Sequence, residues 1–378
     1  MKRFLILCIL MIPGLIHAQE TEGLYVTYQG ILDKRNAATV ILHLADTAVS
    51  GYFYDNSLGE KSNLQGSVRN GELYLKQLKN GQATGNFTGS IKPDFSLASG
   101  TWSDVSSGRK LKFEFRQIMQ EGSVQVHSLS KTFNHVWRKN AAGKPLGCQA
   151  AYTFCYVSGM TDPVVQSRIN ETLLHVPVRQ RTTPELLKAA ARNSMEDDFA
   201  AYLESYLETF EDSVSAETLT FIDESPSMFT WDYQETNKAI YNEHYLLCME
   251  EYGYSYTGGA HGNYGFSYRV FDLSTGNVLQ LHDLFTQEKL SALAAAAERQ
   301  LRADRGIAAD RSLNESGLFI DQLELKEDFF IDQGGIGFLY NPYEIASYAD
   351  GAITVYLKWE QVRNFIKPVG PLAWVLIR

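Results

Sequence analysis

The chain has 378 residues, 44% of them apolar and 21% charged, with a formal charge of −10. This composition suits a globular protein of two or three domains rather than a disordered or fibrous one. The surplus of carboxylates argues against nucleic acid and anionic membrane surfaces, both of which need clustered Lys and Arg, and it permits a basic partner; the same surplus would also simply keep an exported protein soluble.

Residues 1–18 read as a secretory signal, with Lys2 and Arg3 as the positive end, 4–16 as the apolar run and Ala18 closing a cleavage site. The run is shorter than the about 20 apolar residues that span a bilayer, so no integral membrane segment is expected after cleavage. A retained anchor is the alternative. The mature protein is expected to be periplasmic or secreted; without Lys2 and Arg3 it holds 32 basic against 44 acidic residues, a formal charge of −12.

Three cysteines follow the signal. In an oxidising compartment an odd count suggests one disulfide and one leftover thiol. Cys148 and Cys155 are the candidate pair, provided the chain bends between them, because positions of opposite parity on a straight strand face opposite sides. Cys248 sits among Leu246, Leu247 and Met249 and reads as buried. No Cys and His spacing resembles a zinc site, and neither metal nor cofactor is expected.

Residues 19–118 show no helical period and read as a β-barrel-like domain. Eight strands are predicted at 23–32, 38–44, 49–54, 62–68, 72–77, 82–91, 97–102 and 111–116, with hairpin signals such as Asn70-Gly71 and Asn80-Gly81. Glycines early in several strands fit the sharp coiling of a small antiparallel up-and-down barrel, closed or nearly closed. Tyr52, Tyr54, Phe87 and Trp102 either fill its interior, as in most small barrels, or line a ligand site at one end. Residues 119–146 read as a connection, within which Val124, Val126 and Val136 suit a strand.

From residue 147 to 378 the pattern becomes α+β, with helices packed on an antiparallel sheet, in a first segment 147–225 and a second segment 226–370. A strand at 149–157 leads to a helix opened by Asp162-Pro163 and a longer one after Thr183-Pro184. The acidic residues of the longer helix, Glu196 to Asp212, read mostly as a solvated face. Antiparallel strands are predicted at 228–234, 240–256 and 263–272, then a helix from Thr286 and strands at 337–340 and 353–357.

Within the second segment, Tyr252, Tyr254 and Tyr256 alternate with Gly253 and Ser255, and Tyr264, Phe266 and Tyr268 with Gly265 and Ser267. Period two means strands. The connection 257–263 holds Gly258, Gly259 and Gly262, which take positive φ readily, and His261 near its tip. The tyrosines either bury one sheet face or, with Tyr256 and Tyr264 exposed near the loop, stack on sugar rings or a partner's apolar patch. His261 suits a general base by its ordinary pKa of about 6.5, but no Ser or Cys nucleophile motif accompanies it. Bonding loop backbone groups is its plainer role.

Four ordered motifs carry a resemblance: 256–263 (YTGGAHGN), Phe271-Asp272 with Thr275-Gly276, 281–285 (LHDLF), and Tyr343-Glu344-Ile345-Ala346 with Tyr348-Ala349 and Gly351. Together they resemble the C-terminal extracytoplasmic domain shared by the anti-sigma factor RsiV and the peptidoglycan deacetylase PdaC. The similarity continues more loosely upstream to Cys148, covers residues 147–370 and leaves the barrel out. Neither the sigma-binding segment of the one nor the metal-dependent catalytic domain of the other has a counterpart in these residues. What the resemblance implies is the role of the exported domain in the RsiV family, a receptor for lysozyme. Carried over motif by motif, the recognition surface comprises Tyr256, Gly258, Gly259, His261, Asn263 and Tyr264 in one loop and Tyr343, Glu344 and Tyr348 in another. Ser347 departs from the family, where proline is frequent. The expectation is an exported, non-enzymatic binding protein that recognises lysozyme or peptidoglycan fragments. The alternative is a cell-wall hydrolase or esterase using His261 with Asp283 or Glu344.

Overall fold

The computed structural model describes residues 20–33, 36–178, 182–210 and 221–377. The expected signal, and Glu211 and Asp212 of the acidic helix face, lie outside them.

All eight predicted barrel strands form, most of them longer than the alternation alone indicated. They are β1 (Thr21–Leu32), β2 (Asn36–Ala45), β3 (Ala48–Asp55), β4 (Glu60–Arg69), β5 (Glu72–Lys79), β6 (Gln82–Ile91), β7 (Leu97–Asp104) and β8 (Lys110–Gln117). Each pairs antiparallel with the next, and β8 returns to β1 with Phe115 opposite Gly30, closing an up-and-down barrel. Inward-facing Tyr28, Leu42, Leu64, Leu75, Phe87 and Phe115 pack its interior. The void left among them is about 10 Å³, room for one water at most. Phe87 therefore fills the barrel. Tyr52 and Tyr54 do not, because Phe53 takes the inward position of β3 and turns both tyrosines outward. They are nonetheless 4% and 3% exposed, since the C-terminal region covers them.

The sheet continues past the barrel through β9 (Gln125–Lys139), β10 (Pro145–Ser158), β11 (Thr230–Glu243), β12 (Leu246–Tyr256) and β13 (Asn263–Asp272). Residues 21–24 of β1 pair with 127–130 of β9, so β1 belongs to the barrel and to the flanking sheet at once. Residues 119–146 thus contain a strand of 15 residues. One pairing departs from the antiparallel expectation: β10 and β11 run parallel. A parallel pair needs a long crossover, and α1 (Pro163–Leu174) and α2 (Pro184–Phe210) lie within it. Asp162 caps α1, accepting from the backbone N–H of Val164 and Val165, with Pro163 at the first helical position. Leu187, Ala191, Met195, Phe199, Leu203 and Tyr206 of α2 pack on Phe133 and Tyr152, which leaves Glu196, Asp197, Glu204 and Glu208 in solvent.

The strand β10 corrects the disulfide expectation. Cys148 and Cys155 lie on it seven residues apart without a bend, and they enter different hydrophobic clusters. Seven strand residues span about 23 Å, against a limit of about 7 Å between the Cα atoms of a cystine. Cys148, Cys155 and Cys248 are all free and buried.

A separate antiparallel sheet of β14 (Phe329–Ile331), β15 (Gly335–Tyr340) and β16 (Ile353–Lys358) completes the fold. Leu293, Ala297 and Leu301 of α3 (Leu290–Arg305) share its core with Val355 and Leu357, and the same cluster reaches Ile41, Tyr52 and Tyr54 on the outside of the barrel.

Candidate functional site

The β12–β13 pairing puts Tyr254 opposite Tyr264 and Ser255 opposite Asn263, which leaves 257–262 as the hairpin loop. Gly258 and Gly259 have φ of +90° and +103°, a region that side chains resist. A Cβ on Gly262 would lie 2.5 Å from the Tyr254 ring. The Tyr256 hydroxyl donates to the Gly259 carbonyl at 3.1 Å. His261 Nδ1 stands 2.9 Å from the Gly262 carbonyl, which can only accept, so the proton is on Nδ1.

The second predicted loop arrives from β15. β13 is the edge strand of the large sheet, and Asn341 docks on that edge as a neighbouring strand would: its Nδ2 donates to the Phe266 carbonyl at 2.9 Å and its Oδ1 accepts from the Phe266 N–H at 2.8 Å. Further along the edge, Asp328 accepts from the Tyr268 N–H at 2.6 Å and Leu279 N–H donates to the Val270 carbonyl at 2.8 Å. Burial pushes the Asp328 carboxyl above the usual carboxylate range. With those positions occupied, this stretch of the edge cannot template another strand.

Beyond Asn341, Tyr343 adopts φ +72° and is 58% exposed, while buried Ile345 and Ala346 anchor the turn. Glu344 accepts from Asn341 N–H at 2.9 Å and from Lys326 at 2.7 Å. The Tyr348 hydroxyl donates to the Gly262 carbonyl at 2.7 Å, and its ring stacks on the His261 imidazole with centroids 4.1 Å apart. Tyr264 and Tyr343 flank that ring at 6.0 and 5.7 Å. Two loops predicted from separate motifs therefore meet in one aromatic surface. His261, Asn263 and Tyr343 are exposed on it, and Tyr256, Tyr264 and Tyr348 are half-buried. Ser347 stands at φ −66°, an angle proline would also take, and donates its hydroxyl to Asp350, itself paired with Arg305 of α3 at 2.6 Å.

Chemically the surface offers stacking and hydrogen bonding. The carboxylates expected to assist His261 are engaged elsewhere: Asp283 accepts from Gln280 N–H at 2.8 Å and stands 3.4 Å from His282, and Glu344 holds Lys326. Among the described residues no group of three or more His, Cys, Asp or Glu is arranged to hold a metal.

Sequence reasoning missed a large cleft, about 1010 Å³, which lies where the β11–β12 turn and the C-terminal residues meet the barrel. His244 stacks on Trp374 there at 4.1 Å beside buried Glu243. The interruption of an apolar run by Asn242-Glu243-His244-Tyr245 was the available signal of that turn, where His244 and Tyr245 take positive φ.

Two family models match the chain: "Deacetylase PdaC" over residues 148–264 and "Protein of unknown function (DUF3298)" over residues 282–360. No curated protein matches it. Among solved structures, a member of the DUF3298 family from Bacteroides fragilis NCTC 9343 is similar with a TM-score of 0.54 at 21% identity, covering 68% of this chain and 99% of that one, which shows a shared fold. A DUF3298 family protein from Pseudomonas aeruginosa PAO1 gives a TM-score of 0.42 at 15% identity, covering 65% of this chain and 95% of that one. The hairpin loop falls in the stretch matched by the PdaC model and the Tyr343 loop in the stretch matched by the DUF3298 model, so behind its barrel the chain is similar to the first and then to the second, in keeping with its motifs.

Proposed function

We propose that this is an exported, non-enzymatic binding protein whose C-terminal region recognises a basic protein such as lysozyme through the aromatic surface of the two loops. The observation that carries this reading is the Tyr348 bridge, which stacks on His261 and bonds Gly262. Rings fixed in advance lose little conformational freedom on binding and make large contacts. The chain as a whole is acidic, which suits a cationic partner with an apolar patch. A cell-wall glycan is the second reading, favoured by the stacked rings alone.

The test is surface binding of residues 19–378 to a basic animal-type lysozyme at low salt and at about 0.5 M, where charge attraction is screened within a few ångströms. Saturable binding should survive salt and weaken at least about tenfold in Tyr343→Ala or His261→Ala, a loss of about 1.4 kcal/mol. Absent or salt-abolished binding would overturn it, and co-sedimentation with peptidoglycan would then decide for or against the glycan.

A further inference from the structure

We propose that the open end of the barrel is a binding cup for a neutral saccharide, independent of the C-terminal surface. Alternate residues of each strand face inward, and at one end the inward layer stays apolar: Phe95 at φ +58° packs onto the core there. At the other end the layer changes character. On β5 the inward series Leu73, Leu75 continues to Gln77, on β4 Leu64 gives way to Ser62, and on β7 Ala98 is followed toward the rim by Trp102. The resulting cup has a volume of about 470 Å³, within the range of small-ligand sites, and barrel mouths are among the places such sites occur.

Its floor is ordered. Trp102 Nε1 donates to Gln77 Oε1 at 2.8 Å, and Gln77 Nε2 donates to Ser62 Oγ at 2.8 Å, with Ser62 8% exposed. The indole reaches Gln77 only because β6 has glycine beneath it: a Cβ on Gly85 would lie 2.2 Å from Trp102 Nε1. A barrel closed for stability alone would end in another apolar layer, as at Phe95. Here Leu32 and Leu111 share the layer with an aromatic plate and a fixed amide and hydroxyl.

The rim decides the ligand class. Its cations are each paired, Lys79 with Glu60 at 2.7 Å, Lys61 with Asp332 at 3.3 Å and Arg109 with Asp33 at 3.9 Å, and its other carboxylates accept from their own turns, Asp55 from Ser57 N–H at 2.9 Å and Asp104 from Ser107 N–H at 2.7 Å. With every rim cation already paired, nothing there draws an anion, while donors stand beside acceptors, which matches hydroxyl groups that do both. An indole supplies the apolar plate on which the C–H face of a pyranose rests.

The test is calorimetric titration of residues 19–378 with chitobiose, cellobiose and maltose, with tryptophan emission recorded in parallel. At least one sugar should bind saturably with a Kd of about 1 mM or tighter. Trp102→Ala and Gln77→Leu should each weaken it at least about tenfold, the second keeping the shape of the floor should the first unfold the barrel. His261→Ala and Tyr343→Ala should leave it unchanged. Failure of all three sugars to bind overturns the proposal. So does binding that ignores both barrel variants and disappears with His261→Ala, which would place a glycan on the C-terminal surface instead.

Discussion

The carbonyl of Gly262 receives both the Tyr348 hydroxyl and His261 Nδ1, so one backbone atom fixes the two stacked rings of the site. Tyr348→Phe keeps the ring and removes one hydrogen bond, for a cost of about 1 kcal/mol in urea unfolding; Tyr348→Ala should in addition raise hydrogen exchange across residues 257–262. Equal exchange in the two variants would mean that the stack does not order the loop. His43 carries the pH dependence at this scale. Burial, with Lys238 nearby, holds its pKa down at about 4, while its ring stacks on Tyr25 at 4.5 Å and its Nε2 meets Ser128 Oγ at 2.7 Å. The depressed value means that the folded state keeps this imidazole neutral where the unfolded chain, at about 6.5, takes a proton. Its contribution is therefore whole above pH 6.5 and is lost as pH falls from there towards 4, up to about 3 kcal/mol in order of magnitude. In His43→Gln the slope of stability against pH over that window should flatten, and an unchanged slope would assign it to other groups such as His127, whose pKa burial also lowers.

Among the elements, Asn341 does for β13 what a neighbouring strand would do, and Asn341→Ala leaves the Phe266 N–H and carbonyl without those bonds. A loss of about 2 kcal/mol is expected, with Asn341→Asp retaining the bond from Phe266 N–H and recovering part of it. The hairpin was legible because both its strands alternate, and Asp162-Pro163 marked the start of α1 by its chemistry. β10 was legible as a strand but its neighbours were not: Leu146, Gly147 and Cys148, then Phe154 to Ser158, are buried on both faces, so no alternation showed which side met α1 and α2 or that β11 lay parallel. The same two-sided burial governs the thiols. Burial pushes Cys148 and Cys155 up to about 12 and Cys248 higher still. A thiol reagent should therefore find none of them in the native protein and all three after unfolding, and reductant should leave the melting temperature where it is. A reductant-sensitive melting temperature would require strand β10 to be rebuilt.

On the scale of the molecule, the barrel was readable as a barrel but not as one wall of a larger core. In Gly51-Tyr52-Phe53-Tyr54 the apolar character is continuous, and only the docked C-terminal region separates the inward Phe53 from the outward tyrosines. Lys238 and Lys61 lie over the Tyr52 ring at 4.2 and 4.7 Å, so the contact between the two regions is aromatic, cationic and buried together. β1 adds a second tie, since its first residues pair with β9 while its last pair with β8. Two such ties argue that the parts unfold as one. Tyr52→Ala removes a ring from the middle of the shared core and should cost about 3 to 5 kcal/mol, the range for large aromatic truncations. If the regions are coupled, barrel and flanking sheet lose that stability together, and chemical-exchange protection of β5 to β7 and of β11 to β13 should fall in parallel during one urea transition. If the barrel instead keeps its protection while the flanking sheet melts early, the tyrosine contact is only a docking surface. Residues 19–118 alone would then fold and stay soluble, whereas the coupled structure predicts that exposing Ile41, Tyr52 and Tyr54 makes that fragment associate.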